Sequence, residues 1–147
     1  MSQFYVGVKI VFAWPEEYAG KPGYVVRYPD GYQSWSPKEV FEDAYLPMGE
    51  SNDNLVTNVM VDRMIGRYKG TNLEDGRSTL VKAESPTGFM LYEISSCVDP
   101  KNYDSQLGAE ICLKRIESKV WQFLGFVVRW GKFGLKYSEK NKEATNG

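Results

Sequence analysis

The chain contains no histidine. That absence removes Ser-His-Asp and Cys-His catalysis, every imidazole metal site and every imidazole pH switch. Its 2 cysteines, Cys97 and Cys112, are too few for a zinc cage or a disulfide-stapled secreted fold. No apolar run approaches the roughly 20 residues of a membrane span. The opening MSQFYVGVKI lacks the basic-then-apolar layout of a signal peptide. Neither sign of charge dominates: 18 Lys and Arg against 19 Asp and Glu leave a net charge of −1, which argues against a surface that binds nucleic acid as a whole. Catalytic motifs are missing as well, with no Gly-rich phosphate loop, GxSxG, HExxH or CxxC. Gly20-Lys21-Pro22-Gly23 resembles a phosphate loop only in composition, and Pro22 spoils it. The acidic pairs Asp99 with Asp104 and Glu16 with Glu17 read as solvated loop residues. The expectation is a non-enzymatic protein of a reducing cytoplasm, with no cofactor, no metal and no membrane partner.

What is present is a globular composition. The 147 residues, 42% hydrophobic and 25% charged, suffice for one ordinary domain or two small ones. Residues 1–47 are rich in aromatics, Gly and Pro and predict a small β module. A strand is expected over Gln3–Trp14, with Phe4, Val6, Val8, Ile10 and Phe12 on one face. Gly23–Tyr28 and Tyr32–Trp35 predict a hairpin around Pro29-Asp30-Gly31, where glycine supplies the positive φ of a tight turn. Ser36 is expected to cap a short helix, with Pro37 at its first position, Glu39 completing a capping box, and Val40, Phe41 and Ala44 facing the sheet. Aromatic residues concentrate in that hairpin and could stack bases, but its cations, Arg27 and Lys38, are few, so nucleic acid is not an expected partner.

The polar stretch 48–54, MGESNDN, reads as a linker. Residues 55–136 predict an α+β domain. Thr57 caps a helix with Val59, Met60 and Met64 in a stripe, and Gly66 ends it. Arg67–Leu73 is expected to form an edge strand, and Arg77–Glu84 and Phe89–Ser96 a hairpin across Ser85-Pro86-Thr87-Gly88. After a loop at Asp99–Asp104, Asp104 or Ser105 caps a long helix carried to about Val128. At 100° per residue, Cys112, Phe123, Ile116, Ala109, Val127, Val120, Leu113 and Leu124 share a stripe about 120° wide, the expected core face. Both cysteines are expected to be buried, inert thiols. The tail 137–147 is polar and expected to be disordered.

Two features of that helix call for a reason. Arg115 and Lys119 are like charges one turn apart, and no acidic residue of the helix is spaced to pair with both. Either they splay into water or take a carboxylate such as Glu93, or they form an anion site with Asn102, where a phosphate would relieve the repulsion. Phe89 or Tyr103 would then stack on the bound molecule, although Asn102 equally suits a plain turn. Trp121 falls on the outer side among Glu110, Lys114 and Glu117. It reads either as packing on the N-terminal module or on a tail residue such as Phe133, or as an interface anchor of a homodimer or higher oligomer.

Residues 88–128, GFMLYEISSCVDPKNYDSQLGAEICLKRIESKVWQFLGFVV, carry an ordered series of motifs. The series runs Gly88-Phe89, then Ser95-Ser96-Cys97-Val98-Asp99-Pro100, then Asn102-Tyr103-Asp104, Gly108, Lys119-Val120-Trp121 and Leu124-Gly125-Phe126. It resembles the phage gene-49/gene-66 family over about a third of the chain. It departs from the family pattern at Thr87, where Asn is usual, and around Phe123. The run GYVVRYPDGYQSWSPKEVFEDAY resembles a module of phage proteins of this kind. The resemblance implies a phage accessory protein working in the host cytoplasm and hands over no catalytic residues. By analogy with phage proteins that sequester nucleotide second messengers, the leading expectation is capture of a cyclic nucleotide or ADP-ribose-type ligand to antagonise bacterial defence. The other expectation is a protein-binding host-takeover factor or a structural protein, using Trp121 and the aromatic hairpin.

Overall fold

The computed structural model describes residues 1–50 and 55–136. Most of the expected linker, residues 51–54, and the tail from Tyr137 lie outside the described residues. The fold is α+β, with two three-stranded antiparallel sheets and a long C-terminal helix. It divides into two compact units, Met1–Leu55 with Phe126–Gly147, and Val56–Gly125.

In the first unit β1 (Phe12–Pro15), β2 (Gly23–Arg27) and β3 (Gln33–Pro37) pair in sequence order, and α1 (Lys38–Ala44) follows directly. The expected turn forms: Gly31 sits at φ +90° and Tyr28 N–H donates to the Tyr32 carbonyl across it. Trp35 is the centrepiece. Its indole N–H donates to the Glu16 carbonyl at 2.7 Å, and its ring lies over Gly23, where only a missing Cβ leaves room. Three expectations for this unit are corrected. The first strand is four residues long, because β2 pairs only with Phe12–Pro15; residues 3–11 form no strand to give Phe4, Val6, Val8 and Ile10 a common face, and Phe4 and Val6 are exposed. The helix cap is Pro37 rather than Ser36, since Ser36 and Pro37 are held in the ladder opposite Tyr24 and Gly23. Val40 and Ala44 are exposed; α1 is held instead by Phe41, stacked 4.3 Å from Tyr24 and 4.8 Å from Tyr45, and by Glu42, which accepts the Tyr24 hydroxyl at 2.8 Å.

The second unit starts with α2 (Asn58–Ile65), where the Thr57 hydroxyl accepts the Met60 N–H. Met60, Val61 and Ile65 are its buried residues, so the stripe lies one position along from the expected one and Val59 is exposed. Strands β4 (Arg67–Asn72), β5 (Ser78–Glu84) and β6 (Met90–Ser96) form a meander with β5 in the middle. Thr79, Val81 and Ala83 of β5 are buried. A 3₁₀ turn at Pro100–Asn102 then leads into α3 (Ser105–Phe133). Asp104 caps α3, its carboxylate accepting the Gln106 and Leu107 N–H groups. The helix runs past the expected end at Val128 to Phe133, where Gly134 closes it at φ +66°.

The fixed apolar stripe expected on α3 is also corrected. The residues that are buried are Gly108, Cys112, Ile116, Val120, Leu124 and Val128, while Phe123 and Val127 are exposed. Four residues advance the helix by about 400°, so each step of this row turns about 40° farther round. The row has therefore wound away from Phe123 and Val127 by the last turns. Cys112, packed under β5 with its thiol against the Thr79 carbonyl, belongs to the second unit. Gly131, against Val8 and Ile10, belongs to the first. Among the described residues no helix is long and apolar enough to cross a membrane.

Candidate functional site

The family-like motif turns out to build a corner. Asp99 accepts the Lys101 N–H and starts the 3₁₀ turn, and the Cys97 thiol donates to the Asp99 carbonyl. The Tyr103 hydroxyl is 2.6 Å from the Thr79 hydroxyl and donates to the Asn72 amide oxygen at 2.8 Å. One phenol thus ties the corner to β4 and β5. A Cβ on Gly108 would stand 2.7 Å from the Thr79 hydroxyl, so the helix glycine admits that contact. Cys112 is buried, and desolvation pushes its thiol above the usual range. Cys97 is only half-buried.

The sequence-derived site residues are distributed along the second unit. Arg115 donates to the Ile94 carbonyl at 3.0 Å, and Lys119 forms an ion pair with Glu93 at 2.7 Å. The carboxylate alternative is the one realised for Lys119. Ladder bonds at Cys97 and Phe89 turn the odd residues of β6 toward β5, so the Ile94 carbonyl points to the free edge and Arg115 covers it. Phe123 meets Phe89 edge-on at 6.3 Å near the β5–β6 turn. Arg115 and Lys119 thus fasten one flank of α3 to β6, and Phe123 fastens it to the turn before β6. Asn102 is exposed in the 3₁₀ turn, and its N–H donates to the Asp99 carbonyl. Tyr103 reaches the start of β5 and Phe89 lies beyond its end, about 20 Å away along a seven-residue strand. The structure brings Arg115 and Lys119 together but not Phe89 with Tyr103. Trp121 is 38% exposed on the outer side of α3.

A different surface carries cations that the fold leaves unneutralised. Alternation along β5 buries Thr79, Val81 and Ala83 and turns Leu80, Lys82 and Glu84 to the opposite, open face. The register sets Lys69 of β4 and Tyr92 of β6 on either side of Lys82. The next rank is Thr71, Leu80 and Ile94, and the rank on the other side is Arg67, Glu84 and Met90. Arg67 is bound to Glu84 at 3.0 Å. Among the described residues neither Lys69 nor Lys82 has an ion-pair partner. Arg67, Tyr68, Lys69, Lys82, Glu84 and Met90 line a shallow hollow of about 150 Å³. A larger open cleft of about 510 Å³ lies at the β5–β6 turn, between Gly66–Arg67 and Glu84–Gly88. The signal for the open face was present in the alternation Arg67-x-Lys69, Leu80-x-Lys82 and Tyr92-x-Ile94. It becomes legible only once the pairing register is known.

The fold and its surfaces define a small α+β protein of two units, whose second sheet has one helix-covered face and one open face. The sequence profile of the phage protein (N4 Gp49/phage Sf6 gene 66) family matches residues 51–131, more than half of the chain, and the chain belongs to that family. No curated protein and no solved structure matches it.

Proposed function

We propose that this phage protein works by binding rather than catalysis, and that it captures a phosphate-bearing nucleotide, of the cyclic nucleotide or ADP-ribose type, to blunt a bacterial defence signal in the host cytoplasm. The observation that carries this reading is the pair of cations Lys69 and Lys82, set directly opposite each other on an open face with no carboxylate bonded to either among the described residues. Like charges in register destabilise a sheet, and a bound anion relieves that repulsion. Membership of a phage family agrees with an accessory role.

The test is a thermal-shift screen of the purified chain against cyclic di- and trinucleotides, ADP-ribose and its cyclic isomers, mononucleotides and inorganic phosphate. A ligand at a hundred times its Kd adds about 2.7 kcal/mol of stability. A selective upward shift with one nucleotide class is the expected result, and a flat panel refutes the reading. A protein-binding role is the second reading. It is favoured by Phe4, 104% exposed, with Tyr5 and Val6 exposed beside it, the Tyr5 hydroxyl accepting from the Gln3 side-chain amide. Self-association belongs with it, with Trp121 as the anchor.

A further inference from the structure

We propose that the open face of the β4–β6 sheet is where the nucleotide binds, its base stacked on Tyr92 and its phosphate held between Lys82 and Lys69. This inference rests on the nucleotide-binding reading above and gives it a site other than the Arg115–Lys119 flank. Three observations converge on it.

The first is spacing. Strands in a sheet lie about 4.8 Å apart, so Lys82 is one strand from Tyr92 and Lys69 is two, about 10 Å away. A base over the tyrosine therefore puts its phosphate within reach of both flexible ammonium groups. The second is chemistry. Tyr92 is 52% exposed, its ring is free to stack, and Leu80 and Ile94 extend an apolar floor beside it. Any base offers a π-face to such a ring, while the phosphate settles on the cationic side. The third is the count of charges. These three ranks carry three cations and one carboxylate, Glu84, which Arg67 occupies; the Asp75 carboxylate reaches this face only farther along, at Ser78, where Arg77 lies 3.9 Å from it. Two cations remain, matched to one or two phosphates rather than to a long polyanionic strand. The hollow of about 150 Å³ beside Lys69 and Lys82 gives the phosphate a shallow seat.

The experiment is isothermal titration of the full chain with AMP, ADP-ribose and cyclic di-AMP, with inorganic phosphate as the bare-anion probe. Lys69→Ala with Lys82→Ala is expected to weaken the best nucleotide about 10- to 100-fold. Tyr92→Ala is expected to weaken it about tenfold, with Tyr92→Phe restoring most of the affinity because the ring is what stacks. Lys101→Ala with Lys114→Ala removes the same charge from exposed positions off this face and is expected to leave binding unchanged. Circular dichroism and melting curves check that each variant folds, and Lys69→Gln with Lys82→Gln serves if the alanine pair does not. Undiminished binding by the folded double variant overturns this placement and leaves the nucleotide reading standing. Failure of the unmodified chain to bind any probe nucleotide overturns both.

Discussion

Replacing Gly108 with alanine is expected to destabilise the protein, whereas the same replacement at Gly125 of the same helix is expected to stabilise it. Both glycines lie inside α3, where alanine is favoured over glycine by about 1 kcal/mol. At Gly125 nothing stands within 4 Å of an added Cβ, so that gain is realised in full. At Gly108 the Cβ would stand 2.7 Å from the Thr79 hydroxyl and 3.1 Å from Thr79 Cβ. Thr79 is only 2% exposed and holds the Tyr103 hydroxyl, so it cannot turn aside without breaking that bond. Overpacking of this kind costs about 1–3 kcal/mol, and the strained hydroxyl contact about 1 more. The net loss at Gly108 is therefore about 1–3 kcal/mol. At about 2–4 °C per kcal/mol in a chain of this size, melting should rise by about 2–4 °C for Gly125→Ala and fall by about 2–12 °C for Gly108→Ala. Differential scanning calorimetry of the two variants beside the unmodified chain decides it. An upward shift in both would refute the close packing of α3 on β5.

Other outcomes follow from the same structure. Gly23→Ala would drive a methyl group into the Ser36 carbonyl and the Trp35 ring, lowering stability by at least about 2 kcal/mol in urea melts and changing the near-UV spectrum of the tryptophans. The Ser78 hydroxyl and then the Arg77 N–H bond to Asp75 and hold its carboxyl below its ordinary value of 3.8. Asp75 therefore contributes stability above that value and loses it as the pH falls through the lower folded value; Asp75→Asn should flatten the acid limb of urea midpoints taken from about pH 5 down to about pH 2. Lys119→Ala should cost about 0.5–1 kcal/mol, because its ion pair with Glu93 is part-exposed, and high salt should shrink the difference. Trp121→Ala should lower the mass seen by light scattering, and an unchanged mass would remove self-association through that residue.

Much of this fold was legible residue by residue where the signal was local. Gly31 in its turn, Thr57 and Asp104 at helix starts, and the hairpin around Ser85–Gly88 depend on backbone chemistry within a few positions. What failed was tertiary. The β-rich pattern of Gln3–Val11 gives no strand, because periodicity cannot say whether a neighbour is there to pair with. The burial of α3 winds along the helix, and a straight stripe through Phe123 and Val127 assumed one fixed partner face. The candidate site suffered in the same way. The repulsion between Arg115 and Lys119 was visible, but its relief by Glu93 and the Ile94 carbonyl depended on which strand lies alongside. Lys69 and Lys82 lie thirteen positions apart in the chain, and only the ladder makes them neighbours.

The order in which the chain is made bears on the glycine at position 131. The second unit is one unbroken stretch, Val56–Gly125, and holds all its own contacts when that stretch has been synthesised. The first is split: Val8 and Ile10 wait for Gly131, more than a hundred residues downstream. Closing so long a separation is slow compared with forming local hairpins. On a ribosome Val8 and Ile10 thus stay uncovered until Gly131 has emerged, during the interval in which nascent chains are most open to chaperones and to aggregation.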